Sequence, residues 1–135
     1  MILYNNIDMG GNIMIYGIGI DMIEINRIEK ILYRKEKSFT NKILSNNEKT
    51  ECPINIIKKT EYIAGRFAGK EALAKAFGTG IGNQISWKNI EILNCDSGKP
   101  YINFKKNFND KNFIYHISIS HTKTLAVAQV IIEQR

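Results

Sequence analysis

The sequence is poor in cysteine and proline, with two of each among its 135 residues. Cys52 and Cys95 lack the close spacing of a metal-binding motif. Secreted domains that depend on disulfides carry a much denser set of cysteines. We therefore interpret both side chains as reduced thiols of a cytosolic protein, and a single disulfide between them is the less favoured alternative.

Long hydrophobic runs are also missing. No apolar stretch approaches the roughly 20 residues that a membrane-spanning helix needs, so we expect no membrane association. Residues 1–13 lack a basic segment and are interrupted by asparagines and glycines, unlike a secretory signal. We interpret residues 1–13 as a disordered N-terminal extension or alternative-start segment, with Met14 as the other start, and residues 14–135 as one domain.

Acidic residues are outnumbered by basic ones, 13 against 19, which gives a net charge of +6 and an isoelectric point of about 9.3. This balance favours an anionic partner, such as a nucleic acid, a phosphorylated cofactor or an acidic protein. The 44% hydrophobic content is ordinary for a folded globular domain.

Hydrophobic periodicity predicts one strand, then helices, then further strands. The isoleucine-rich run Ile15–Ile25 predicts a strand buried on both faces. Helices follow over Asn26–Lys35, with Asn26 as the cap, over Phe39–Leu44, and over a long segment from Ile54 to Phe77 that ends at Gly78. Later strands are predicted at 85–93, 101–104, 115–120 and 125–132. This order predicts an α+β fold, in which the long helix and shorter helices pack on an antiparallel sheet.

One carboxylate in the first strand and one in the long helix are candidates for a metal site. Asp21 interrupts an apolar run, and a buried carboxylate is costly unless it is paired or binds a metal. Glu71 lies among Arg66, Lys70 and Lys75. Each carboxylate also has a purely structural interpretation. Asp21 can mark the end of a strand, and Glu71 can form an ordinary helix pair with Lys75. Together the two carboxylates suit Mg²⁺, and the cations suit its phosphate ligands.

Two further groups of polar residues stand out. Arg27, Lys30 and Arg34 recur every three to four residues on the first helix and predict a basic stripe for a partner. His121 and Thr122 follow a strand at a turn and add polar groups near the site. Ser120 cannot use His121 as a base, because neighbouring residues have the wrong geometry for a nucleophile and its base.

Four segments resemble the holo-[acyl-carrier-protein] synthase family of 4′-phosphopantetheinyl transferases. They are Gly-Ile-Gly-Ile-Asp at 17–21, Arg-Phe-Ala-Gly-Lys-Glu-Ala-Leu-Ala-Lys-Ala-Phe-Gly-Thr-Gly-Ile-Gly at 66–82, Gly-Lys-Pro at 98–100 and Ile-Ser-Ile-Ser-His-Thr at 117–122. The resemblance covers about Met14 to Glu133. Gly69 replaces a more usual alanine, and Ile23 stands where the larger, pseudodimeric relatives have an acidic residue.

The resemblance implies transfer of 4′-phosphopantetheine from coenzyme A to a serine of apo acyl carrier protein in fatty acid biosynthesis, with release of 3′,5′-ADP. It implies that Asp21 and Glu71 ligate Mg²⁺ and act in catalysis. The serine proton passes either to Glu71 or to a metal-bound water. The residues expected to contact coenzyme A are Arg66, Lys70, Lys75, His121 and Thr122.

The resemblance also implies a cytoplasmic homotrimer with active sites at the subunit interfaces. Arg27, Lys30 and Arg34 would dock the acidic carrier protein. Two other classes of function stay open from the residues alone. A small basic nucleic-acid-binding domain explains the charge but not Asp21 with Glu71, and it lacks aromatic residues among the basic ones. A scaffold without chemistry predicts that both carboxylates are dispensable.

Overall fold

The computed structural model describes residues 13–82, 85–104 and 112–135. The predicted N-terminal extension, except for Ile13, lies outside these residues. The described elements, in chain order, are β1 Met14–Glu24, α1 Ile25–Ile43, α2 Asn46–Glu51, α3 Ile56–Phe77, β2 Ile90–Asn94, β3 Pro100–Phe104, β4 Phe113–His121 and β5 Leu125–Gln134.

The described strands form two antiparallel sheets instead of one. Strand β5 lies between β1 and β4, and β2 pairs with β3 as a hairpin. Gly98 makes the hairpin turn with a φ of 88°, and its N–H donates to the Cys95 carbonyl at 2.8 Å. The helices pack on these strands, so the α+β prediction with antiparallel pairing is confirmed. Periodicity did not reveal the division into two sheets, because pairing partners are set by tertiary packing.

Helix α3 is the central element and is buried along most of its length. Asn55 caps its first turn by accepting hydrogen bonds from the N–H groups of Ile57 and Lys58, at 3.0 and 3.2 Å. Gly78 ends the helix in the left-handed conformation, as predicted, with a φ of 77°. Small side chains on α3 let the strands of the large sheet approach it closely; fully buried alanines among them include Ala64, Ala68 and Ala72.

Helix α1 joins the two predicted helical segments and bends at Lys35, where φ is −143°. The prediction that Asn26 caps this helix is wrong. Helix α1 begins at Ile25, directly after β1, and the Glu24 side chain at the cap position makes no capping hydrogen bond. The N–H of Ile25 instead donates to the Thr124 carbonyl at 2.8 Å, so the β4–β5 turn provides the partner that a cap would supply.

The two faces of β1 differ sharply in burial. Gly19 and Ile23 face α3 and are buried. Ile18, Ile20 and Met22 point to the other side, with 59%, 56% and 61% of their surface exposed. The prediction that both faces are buried is therefore wrong for this protomer. Apolar composition cannot distinguish a face covered by the same chain from one left open for another molecule.

No helix of the described chain is both long enough and apolar enough to cross a membrane. Cys52 and Cys95 are both free thiols.

Candidate active site

Two glycines bring β1 against α3 at the candidate site. A Cβ atom on Gly17 would lie 1.9 Å from the Ala76 carbonyl oxygen, and one on Gly19 would lie 1.9 Å from that of Ala72. Both contacts are with backbone, so a side chain at either glycine would force the strand away from the helix. This close approach carries Asp21, two residues farther along β1, to the turn of α3 that holds Glu71.

Asp21 forms an ion pair across this contact. The Lys75 ammonium donates to Asp21 Oδ1 at 2.9 Å and to the Ile20 carbonyl at 3.1 Å. The Asp21 side chain is only 15% exposed, whereas that of Lys75 is 54% exposed. The carboxylate is thus fixed in the fold, and its cationic partner extends into solvent.

Glu71 is half-buried on the same side of α3. Burial raises the pKa of its carboxyl, the nearby Asp21 charge raises it further, and the Lys75 charge lowers it. Asp21 and Glu71 are therefore close enough to repel each other at a site that is partly shielded from solvent. Within residues 13–82, 85–104 and 112–135, no third acidic, histidine or cysteine side chain joins a cluster that could hold a metal. Two carboxylates, with water and substrate oxygens completing the shell, fit the ligand preference of Mg²⁺.

Arg66 lies inside the fold, between α3 and β2. Its Nε donates to the Ile92 carbonyl at 3.0 Å and its Nη2 to Asn94 Oδ1 at 2.9 Å. The guanidinium carbon stands 4.1 Å from the centroid of the Tyr62 ring, a cation–π contact. These contacts tie the hairpin of β2 and β3 to α3.

Lys70 is fully buried. Its ammonium donates to the Ile43 carbonyl at 2.6 Å, to Glu48 Oε1 at 2.6 Å and to the Trp87 carbonyl at 2.8 Å. Burial lowers the pKa of Lys70, and Glu48 acts in the opposite direction. Sequence reasoning missed Glu48 as its partner, although Ser45 and Glu48 form a capping box that their spacing does signal.

His121 and Thr122 lie at the other end of α3. His121 Nε2 is 3.8 Å from the Glu61 carboxylate, and Glu61 precedes Glu71 by ten residues, or about 15 Å along the helix axis. Thr122 Oγ1 accepts from the Leu125 N–H at 3.1 Å and so orders the turn. The described protomer therefore brings together Asp21, Glu71 and Lys75, but it does not join His121 and Thr122 to them.

Arg27, Lys30 and Arg34 are all exposed on α1, as the basic stripe predicts. Lys30 and Arg34 line an open cleft of about 640 Å³ between α1 and the start of α3. Tyr33, 93% exposed, also lines this cleft, and sequence reasoning did not select it. The stripe is therefore accessible, with an aromatic side chain between two of its charges.

Residues 17–130 match the family model described as the 4′-phosphopantetheinyl transferase superfamily. This chain belongs to that superfamily. Within it, the chain is 51% identical to a holo-[acyl-carrier-protein] synthase of Oceanobacillus iheyensis, over 90% of this chain and 99% of the relative. It is 50% identical to one of Bacillus thuringiensis, over 89% of this chain and 97% of the relative.

Solved structures of phosphopantetheinyl transferases agree with this fold. The holo-(acyl-carrier-protein) synthase of Bacillus anthracis, in complex with CoA (3′,5′-ADP), is 47% identical, with a TM-score of 0.75 over 90% of this chain and 99% of that one. The Helicobacter pylori synthase, in complex with coenzyme A, is 36% identical, with a TM-score of 0.77 over 85% and 98%. The chain is thus a member of the holo-[acyl-carrier-protein] synthases, and the predicted family and enzyme class are confirmed.

Membership in this transferase family decides against a nucleic-acid-binding domain and a scaffold without chemistry. It does not assign roles to individual side chains. The internal hydrogen bonds of Arg66 and Lys70 lend no support to their predicted contacts with coenzyme A, which stay predictions. The side chains of Lys75, His121 and Thr122 are exposed, so their predicted contacts with coenzyme A stay compatible with the fold.

Proposed function

We propose that this chain transfers the 4′-phosphopantetheine group of coenzyme A to a serine hydroxyl of an acyl carrier protein in the cytoplasm, for fatty acid biosynthesis. Asp21 and Glu71 would hold Mg²⁺ at the reacting diphosphate. The observation that carries this proposal is the pair itself: β1 and α3 hold two carboxylates close together, and the charge of Asp21 disfavours ionisation of Glu71. The Lys75 charge only partly offsets this effect, and a divalent cation between the two carboxylates would offset it further.

The residues around the pair would orient the donor. When bound, Mg²⁺ supplies charge neutralisation for the diphosphate. Lys75 already places its ammonium at Asp21, and its exposed, flexible side chain can turn toward a phosphate oxygen. Phosphoryl transfer depends mainly on such positioning and electrostatic stabilisation, so no protein nucleophile is required.

Replacing either carboxylate tests this assignment. Asp21→Ala and Glu71→Ala should each lower turnover by about 10²–10³-fold, the usual cost of removing one preorganised electrostatic group. The double variant should lose far less than the product of the two effects, because the residues act as one unit. Turnover is followed by the intact mass of the carrier protein, beside a thermal melt. Near-wild-type turnover in either folded single variant, or in wild-type protein with the metal chelated, would refute the metal assignment.

For the carrier protein we propose docking on α1 through Arg27, Lys30 and Arg34. These cations are exposed, and the buried positions of the helix, such as Ile28 and Leu32, lie on its opposite face. An acidic partner would meet positive charge along this surface.

We further propose that the protein is a homotrimer with each active site shared by two subunits. Two observations support this. The outer face of β1 exposes Ile18, Ile20 and Met22, an apolar patch that an assembled protein would cover. His121 also lies too far along α3 from Asp21 and Glu71 to join them within one described protomer. A neighbouring subunit can supply His121 and Thr122 to the site.

A further inference from the structure

Glu48 links three elements through one buried carboxylate. Its Oε1 accepts hydrogen bonds from Lys70 on α3, at 2.6 Å, and from the Ser45 N–H at the start of α2, at 2.9 Å. Its Oε2 accepts from the Ile92 N–H of β2, also at 2.9 Å. Both Glu48 and Lys70 have fully buried side chains. One carboxylate thus sets the relative positions of α2, α3 and β2.

The Lys70 ammonium completes this connection. Its three acceptors come from the end of α1, from α2 and from the loop before β2: Ile43, Glu48 and Trp87. Only the protonated amine has three N–H donors, so the hydrogen bonds themselves require the charged form. Three directional bonds to a fully buried group leave α3 little freedom to turn about its axis.

The glycine contacts restrain α3 at a second place. Gly17 and Gly19 of β1 meet its backbone at Ala76 and Ala72. Glu71 follows Lys70 directly, about 100° around the helix, and so lies between the two restraints. A small rotation of α3 would move the Glu71 carboxylate away from Asp21.

We propose that Glu48 and Lys70 are a positioning pair, which fixes the rotation of α3 and thereby holds Glu71 at Asp21. The inference rests on the proposed metal site. A buried ion pair contributes little net stability compared with neutral residues of similar size, so stability alone is a weak reason for this pair. Outer residues that orient metal ligands typically change metal affinity by about 10–100-fold when they are replaced.

Mn²⁺ binding in the presence of saturating coenzyme A, followed by electron paramagnetic resonance, tests the proposal. The main variant is the double replacement Glu48→Gln/Lys70→Met, which removes both charges of the buried pair. We expect it to fold, to bind Mn²⁺ at least about tenfold more weakly, and to keep the wild-type KM for the carrier protein. Ile132→Val is the matched control, because it removes a methylene from a fully buried core residue and should leave Mn²⁺ affinity unchanged.

The outcomes distinguish the positioning role of Glu48 and Lys70 from the metal site at Asp21 and Glu71. Wild-type Mn²⁺ affinity in the folded double variant overturns the positioning role. Equal weakening in Ile132→Val overturns it too, because general loosening then explains the effect. If the double variant does not fold, Glu48→Asp serves instead. It keeps the charge but retracts the carboxylate by one methylene, and unchanged affinity there overturns the proposal. Undiminished Mn²⁺ binding in Asp21→Ala and Glu71→Ala overturns the metal site itself.

Discussion

Asp21 and Glu71 are acidic side chains that the fold holds near each other, although the charge of Asp21 makes ionisation of Glu71 less favourable. Burial acts in the same direction and is the larger effect. A carboxylate held in this way makes the folded protein less stable once it is ionised. The constraint predicts a specific dependence of stability on pH.

Glu71→Gln should stabilise the metal-free protein at neutral pH. The folded protein holds the Glu71 proton more tightly than the unfolded chain does, so stability falls as pH rises through the raised pKa. Glutamine removes this loss. We expect a higher melting temperature than wild type at pH 7 and little difference below the ordinary Glu pKa of 4.5. Adding Mg²⁺ with coenzyme A should raise the wild-type melting temperature more than that of the variant. A variant that melts lower than wild type at pH 7 would contradict this.

At the scale of elements, the contact of β1 with α3 places the carboxylates. The contact depends on glycines because the Ala76 and Ala72 carbonyl oxygens occupy the space of a side chain. Replacing one glycine therefore tests the architecture of the site more directly than replacing a core side chain.

Gly19→Ala should destabilise the protein by about 1–3 kcal/mol, the usual cost of overpacking, and should lower activity as Asp21 moves. Gly82→Ala is the matched control, since no atom lies within 4 Å of a Cβ built there. Urea unfolding measures the stability of both variants, and turnover of the carrier protein measures their activity. Equal midpoints for the two variants would show that β1 can shift freely.

The proposed docking of the carrier protein depends on another single element, α1. Arg27→Glu should raise the KM for the carrier protein at least about tenfold and leave that for coenzyme A nearly unchanged, since it replaces attraction by repulsion. The effect should shrink as salt is added, because exposed charges are screened. Lys88→Glu makes the same charge change on another exposed side chain and serves as control. Equal effects of the two variants would mean that net charge, not α1, attracts the carrier.

Local signals in the sequence predicted the elements better than the contacts between them. Gly78 ends α3 through its own backbone conformation, so the sequence alone predicted its role. Ser45 and Gly98 also act on close neighbours in the chain. The ion pair of Lys70 with Glu48 was not predicted, because the two residues are 22 positions apart in the sequence and meet only after folding. Asp21 and Glu71 were predicted as a pair because the carboxylate in an apolar strand and the resemblance pointed to the same residues, and their role as metal ligands stays a prediction. The bend of α1 at Lys35 had no clear signal, because no proline or glycine marks it.

For the whole molecule, the proposed homotrimer would explain both the open face of β1 and the separation of His121 from Asp21. A cyclic arrangement brings one surface of each subunit against a different surface of the next. The apolar residues Ile18, Ile20 and Met22 would be covered in such an assembly, and the two parts of the site would meet across its interfaces. Molar mass in solution should then be three times that of the 15.4 kDa chain.

Mixing two inactive variants tests whether the site is shared. Asp21→Ala and His121→Ala each lack one part of the site. Each also has the part that the other lacks. If they are co-expressed in equal amounts and assemble at random, about a quarter of all interfaces, counted over mixed and unmixed trimers, should contain an intact site, so activity should recover to about that fraction. A site contained within one subunit would show no recovery, because every subunit is defective.

Ile20→Glu, introduced into both variants, places a charge on the open face of β1 and should abolish both the assembly and the rescue. Recovery that persists without assembly would contradict the shared site.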